Sequence, residues 1–225
     1  MAQDKFTEME KLQQEKVAEG ISKIDAFYNA HKKAIYCCIA CLAFLAVVVV
    51  FKQKHDSDKA AEAQEHVYQA QDLFDKGEFE LALEGDGNTL GFRQVIEEYG
   101  SAAGEAVYFA AGVCALQTGN FEEAIKYLDQ YDGSDTILAA KATAAKADAY
   151  SALEDYDKAI SLYLDAAKAD NAYSAGYLFK AATVLEEKGD AQKALELYNQ
   201  IKEDYPMSVE AQTIDKYITR IEYSK

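Results

Sequence analysis

The 225-residue chain is 50% hydrophobic, ample for a buried core, and it holds 12 Gly, 1 Pro, no Trp and 16 Tyr. So few turn-forming residues predict helices joined by short turns. The net charge of −16 arises wholly beyond residue 51, where residues 52–225 carry 17 Lys plus Arg against 33 Asp plus Glu; such a surface repels phosphates and excludes nucleic acid as a partner.

Residues 1–33 hold six Lys and six Asp or Glu, so their charges cancel. Phe6, Met9, Leu12, Val17, Ile21, Ile24, Phe27 and Tyr28 fall largely three or four apart, which predicts an amphipathic helix. Its apolar stripe is narrow and its charge mixed, the pattern of a solvated arm leading into the next segment more than of a lipid-binding or docking surface.

Residues 34–51 read AIYCCIACLAFLAVVVVF, an uncharged run that as a helix spans about 27 Å, close to a bilayer core. His31, Lys32 and Lys33 precede it, and Lys52, Lys54 and His55 follow. The run predicts a transmembrane helix pinned at both ends by cationic side chains. The long charged lead and the absence of a small-residue cleavage pattern after Val50 argue against a removed signal peptide. Lys16, Lys23, Lys32 and Lys33 on one side oppose Lys52, Lys54 and Lys59 on the other, a bare bias towards an inward N-terminus that leaves orientation open.

Cys37, Cys38 and Cys41 lie in this run and Cys114 stands alone beyond it, so no disulfide framework is expected. Three thiols without a fourth ligand read as small apolar side chains, and neither a metal nor a cofactor is expected. Residues 52–59 are expected as a short polar tether to a domain over 60–225.

That domain repeats itself. Gly119-Asn120-Phe121-Glu122-Glu123-Ala124, Glu154-Asp155-Tyr156-Asp157-Lys158-Ala159 and Gly189-Asp190-Ala191-Gln192-Lys193-Ala194 stand 35 residues apart, each followed four positions later by Leu128, Tyr163 or Tyr198. A turn separates two antiparallel helices, Ala lets their backbones approach, and the large residue fills the gap to the next hairpin. Gly112, Ala147, Tyr150, Ala166, Ala182, Leu185 and Pro206 complete a pattern that resembles the tetratricopeptide (TPR) motif, although its tryptophan is absent. An irregular first repeat keeps Ala70, Leu73, Gly77, Phe79 and Ala82. Gly85-Asp86-Gly87-Asn88 then interrupts it, and Phe92, Val95 and Ile96 resume. The interruption over 85–91 is expected as a kinked helix in an end repeat. Ser208 to Tyr223, with Val209, Ala211, Ile214, Tyr217, Ile218 and Ile221 on one stripe, is expected as a capping helix begun at Ser208. The expected fold is therefore all-α: an N-terminal transmembrane helix, then a TPR-type solenoid of about four helix pairs closed by a C-terminal cap.

First helices of such an array line a concave groove that takes an extended or helical peptide. Projected onto the repeat, the groove positions are Val67, Phe74, Phe109, Val113, Leu116, Asp148 and Phe179. The apolar members are the candidate partner-binding residues, with packing between repeats the competing use for each. The groove set contains no Lys, and Arg93 and Arg220 are the chain's only arginines, so a clamp for a peptide carboxylate is not expected. His31, His55 and His66 have no partnered nucleophile in the sequence pattern, and Gly85-Asp86-Gly87-Asn88 lacks the Lys of a phosphate loop; no catalytic residue and no enzymatic activity are expected.

A charged N-terminal arm, one transmembrane helix and a short TPR domain resemble the YfgM-like family of ancillary subunits of the bacterial Sec translocon. The stretches Ala82 to Gly87, Gly91-Phe92, Glu97-Glu98-Tyr99 and Tyr108 to Val113 look like its Bacteroidetes members. The resemblance implies an inner-membrane protein with a cytoplasmic N-terminus and a periplasmic TPR domain. Its partners would be Sec translocon subunits, periplasmic chaperones or secreted clients. The alternative that the residues leave open is a scaffold or receptor for another membrane-associated complex, including one facing the cytosol.

Overall fold

The computed structural model describes residues 2–223, with side chains described continuously from Cys41 onward and, before it, at Ser22, 29–33, Tyr36 and Cys37. The chain forms two compact units, Met1–Ser57 and Asp58–Lys225.

The first unit lies within helix α1, Ala2–Asp75. No Gly interrupts the chain between Gly20 and Gly77, and the only Pro is Pro206, so nothing in the sequence breaks the helix. Residues 52–59, expected as a polar tether, are accordingly helical, since polar composition without Gly or Pro does not end a helix. The stripe expected on the arm, Phe6 to Tyr28, lies outside the described side chains. So do residues 34, 35 and 38–40 of the expected span. Among the described residues no helix is long and apolar enough to cross a membrane. Of the expected span, the side chains of Tyr36, Cys37 and residues 41–51 are described, and all of them are exposed.

In the second unit, the C-terminal part of α1 packs with α2 (Phe79–Glu84) and α3 (Phe92–Tyr99). The hairpins α4 (Ala106–Gln117) with α5 (Phe121–Asp129), α6 (Thr136–Ala152) with α7 (Tyr156–Ala167), and α8 (Ser174–Lys188) with α9 (Ala191–Asp204) follow, and α10 (Ile214–Tyr223) ends the series. Each hairpin packs on the next, and α10 packs on α9. This is an all-helical TPR-type solenoid of four helix pairs plus a cap.

The turn inside every pair is built alike. Gly77 N–H donates to Phe74 O and Glu78 N–H to Leu73 O; Gly119 to Leu116 and Asn120 to Ala115; Glu154 to Ser151 and Asp155 to Tyr150; Gly189 to Glu186 and Asp190 to Leu185, all between 2.8 and 3.2 Å. These paired bonds satisfy the last carbonyls of each first helix. They require a left-handed residue, and φ is +78° at Gly77, +81° at Gly119, +61° at Glu154 and +90° at Gly189. Asp155 and Asp190 then cap the second helices. A lysine three residues on holds each of these carboxyls below the usual range: Lys158 bonds the Asp155 side chain and Lys193 that of Asp190.

Where the helices of a pair touch, the residues are small. Ala82, Ala124, Ala159 and Ala194 are fully buried, as are Ala70, Ala147 and Ala182 opposite them. At Gly112 even a methyl is too much: an added Cβ would lie 2.5 Å from Leu128 Cγ. The residues four places after the alanines, Leu128, Tyr163 and Tyr198, are at most 3% exposed. They seat one pair on the next, each such burial contributing about 1.5–3 kcal/mol. The core runs as an N-terminal cluster around Phe92, Val95, Val107 and Cys114, a C-terminal cluster around Tyr163, Leu178, Tyr198 and Ile201, and a small cluster of Leu128, Ala142 and Ala145.

Residues 85–91 form a closed loop, not the kinked helix expected. Gly85 and Leu90 make an isolated antiparallel bridge. The Asp86 carboxylate accepts from Asn88 N at 2.9 Å and Thr89 N at 2.7 Å, the local bonding by which Asp stabilises turns. Gly91 stands at the N-cap of α3, and its N–H donates to Gln94 Oε1 at 3.2 Å. Gly91 also touches the Leu83–Gly85 backbone so closely that a Cβ would collide with Leu83 O and Gly85 N. Arg93 locks the loop from outside, bonding Glu84 at 2.6 Å and Glu123 through both guanidinium nitrogens. At the other end, Ser208 Oγ accepts from Ala211 N at 3.1 Å, opening a 3-10 turn (Ala211–Thr213) that precedes α10. The cap therefore begins at Ile214, later than the sequence pattern alone suggests.

Candidate protein-binding groove

The first helices α1, α4, α6 and α8 carry every predicted groove residue. Val67 and Phe74 on α1 are half-buried against the N-terminal core, and Phe74 makes edge-to-face pairs with Phe79 (centroids 5.5 Å apart) and Phe92 (6.4 Å). On α4, Leu116 touches both the N-terminal and the small cluster, and Phe109 meets Tyr131 edge-to-face at 6.2 Å. Val113, also half-buried, sits one turn from both Phe109 and Leu116 and belongs to none of the clusters. These five residues share the N-terminal half of the array.

Phe179 belongs elsewhere. Its ring lies 4.9 Å from Tyr217 on α10 and 5.7 Å from Tyr198 on α9. It joins the last pair to the cap, which is the packing alternative weighed for each groove position.

The C-terminal half is polar and internally paired. Asp148 on α6 accepts the Tyr163 hydroxyl at 2.5 Å and Lys180 of α8 at 2.6 Å. Glu186 on α8 accepts the Tyr198 hydroxyl at 2.6 Å and Arg220 of α10 at 2.7 Å. In each case a second-helix tyrosine reaches a carboxylate on its own first helix, and the next element supplies the cation. Burial, reinforced by these carboxylates, pushes the hydroxyls of Tyr163 and Tyr198 well above the usual tyrosine range. Sequence reading placed Tyr163 and Tyr198 as gap-fillers and missed their hydroxyl partners, since the intervals to Asp148 and Glu186 differ between repeats. It also missed Tyr131; Glu105, four residues before Phe109, was legible only as an (i, i+4) neighbour.

Chemically, the surface is suited to binding. Cys114 is fully buried and desolvation pushes its thiol up to about 12, so it is a protonated packing residue at neutral pH. Tyr127 is likewise pushed to about 12 by burial. Among the described residues no group of three or more His, Cys, Asp and Glu is placed to hold a metal ion.

Stacked helix pairs with a half-buried apolar row on their first helices define a class: a solenoid scaffold for protein–protein interaction. The tetratricopeptide repeat model matches residues 92–136 and 144–208. Among solved structures, the crystal structure of MamA is similar in fold, with a TM-score of 0.51 at 18% identity over 68% of this chain and 92% of that one. No curated protein matches the sequence.

Proposed function

We propose that the protein is a membrane-anchored adaptor whose N-terminal groove half holds an extended or helical segment of another protein. The observation that carries this reading is the row Val67, Phe74, Phe109, Val113 and Leu116, half-buried on α1 and α4. Such residues keep part of their apolar surface in water until a partner covers it. Residues 34–51 serve as the anchor, on the strength of their uncharged length and cationic flanks.

The resemblance to YfgM-like proteins supports a finer assignment: an accessory of the Sec translocon with its TPR domain in the periplasm, passing emerging chains to periplasmic chaperones. The test is affinity purification of the full-length protein from native membranes in mild detergent, with quantitative mass spectrometry. Enrichment of translocon channel subunits with a periplasmic chaperone is the expected result. Their absence, with another complex dominant, replaces this assignment by the second reading, a scaffold for that complex; the near-even flanking lysines keep a cytosol-facing form of it in view. A reporter active only in the cytoplasm, fused after Lys225 and found active, overturns the periplasmic placement.

A further inference from the structure

Tyrosine rings in this chain are routinely supplied with a cation from within. Among the described residues Tyr99, Tyr150, Tyr163, Tyr173 and Tyr217 each lie under a Lys or Arg at 4.4–5.9 Å from the ring centroid. The aromatic pair Phe109–Tyr131 carries no such cation among the described residues. Its surroundings are nonetheless those a cation prefers. Glu105 precedes Phe109 by one helical turn, is exposed, and makes no ion pair among the described residues. The Asp135 carboxylate stands close by, one oxygen accepting Ile137 N at 2.8 Å and Leu138 N at 2.9 Å to cap α6. After burial, which acts first, Asp135 and Glu105 are the charges that raise the Tyr131 hydroxyl. The loop from Tyr131 to Asp135 folds onto the ring: Gly133 lies so close that a Cβ there would come 2.7 Å from Tyr131 Cε2.

We infer that Phe109, Tyr131 and Glu105 form a subsite for one Lys or Arg side chain of a protein partner, beside the apolar row of α4. Charge complementarity selects that occupant. The unit 58–225 holds 15 Lys plus Arg against 32 Asp plus Glu, so a basic residue is drawn to it at long range. At short range it gains the aromatic face and a carboxylate that has no internal partner. The inference rests on the groove reading above and adds the chemistry of its ligand: an apolar segment with a basic residue next to its anchor.

The test uses the full-length protein in mild detergent and fluorescent twelve-residue peptides of Leu and Ala, identical except at one central position bearing Lys, Arg, norleucine or Glu. The Lys and Arg peptides are expected to bind roughly five-fold tighter than the norleucine peptide, the size of a partly exposed cation–π contact, with the Glu peptide weakest. In Glu105→Gln that preference is expected to fall towards unity while norleucine binding stays within two-fold; in Phe109→Leu, which removes the aromatic face from the groove row as well, all the peptides are expected to weaken and the Lys and Arg preference to fall towards unity. The preference is also expected to shrink in high salt. Equal binding of the Lys and norleucine peptides to the unaltered protein overturns the subsite and leaves the groove standing. Failure of the whole series to bind, norleucine included, overturns both.

Discussion

The Tyr163 hydroxyl donates to Asp148 at 2.5 Å across the α6–α7 hairpin, and the same carboxylate receives Lys180 from α8. One hairpin is thus tied to the next through a carboxylate that a buried phenol of its own hairpin also bonds, and Tyr198, Glu186 and Arg220 repeat the arrangement one pair later. Packing alone would have been met by leucine, as Leu128 meets it in the α4–α5 pair. The hydroxyls add direction to that packing.

Stability is therefore expected to fall at alkaline pH. Tyr163 and Tyr198 hold their protons above the usual tyrosine range when folded, while the unfolded chain releases them near pH 10. A group with a raised folded pKa contributes its full stability below the unfolded pKa, and that contribution is lost as pH rises from there through the folded value. Denaturant midpoints measured from pH 8 to 11 should be flat at first and then decline above about pH 10. In Tyr163→Phe/Tyr198→Phe the decline should be clearly shallower; an unchanged slope would remove the phenols from the explanation. Each single Tyr→Phe change is expected to cost about 1 kcal/mol at pH 7.

Glu154 occupies a conformation that its counterparts Gly119 and Gly189 reach without strain. Its φ of +61° costs an L residue about 1–2 kcal/mol. Glu154→Gly removes that strain but returns about 0.4–1 kcal/mol through the more flexible unfolded chain. The expected net gain is about 0.5–1 kcal/mol, a rise of a few degrees in Tm, read by thermal unfolding of the variant beside the parent.

Gly112 and Gly91 tolerate no side chain, for different reasons. Gly112→Ala gains about 1 kcal/mol in helix propensity but drives its methyl against Leu128, itself 2% exposed. Overpacking of this kind costs about 1–3 kcal/mol, so a net loss is expected, and the same Gly112→Ala change should cost less in a Leu128→Ala background, where its methyl meets no leucine side chain. Gly91→Ala meets backbone, which cannot rotate away. The 85–91 loop should open and release Phe92, seen as fast amide exchange over α2 and α3 while α8 and α9 remain protected. Protection unchanged in α2 and α3 would sink this account.

The cysteines report on the proposed anchor. Cys114, buried with its thiol raised to about 12, should resist a charged maleimide in the native state. Cys37 and Cys41 are exposed on α1 and are expected to be shielded in intact membranes and labelled once detergent strips the lipid. Rapid labelling of both in sealed membranes would mean that 34–51 does not lie in a bilayer.

Much of the solenoid was legible because it is periodic. A 35-residue offset aligning Ala124, Ala159 and Ala194 reads directly as helix contact, and all three are fully buried. What repeats could be seen; what happens once could not. The bridge between Gly85 and Leu90 depends on Gly91 nesting against backbone it does not adjoin in sequence, so a Gly-rich interruption looked like a kink. Phe179 carries the register of a groove residue, as Phe109 does, yet a neighbour peculiar to the last pair, Tyr217 of α10, takes its ring. The Phe109–Tyr131 pair was half legible: helical spacing placed Phe109, whereas Tyr131 comes from a loop that no period describes.

The seating of Phe179, Tyr198 and Tyr217, with Ile214 at the start of α10 fully buried, has a bearing on the end of the array. A helical solenoid is in principle a polymer with a growing tip, since the face that accepts one hairpin is also a template for a hairpin from another molecule. Here α10 occupies that tip and turns Lys216, Glu222 and Tyr223 outward. The apolar face of the α8–α9 pair is thus covered within the chain, and what this end of the array offers its surroundings is the polar outer side of α10.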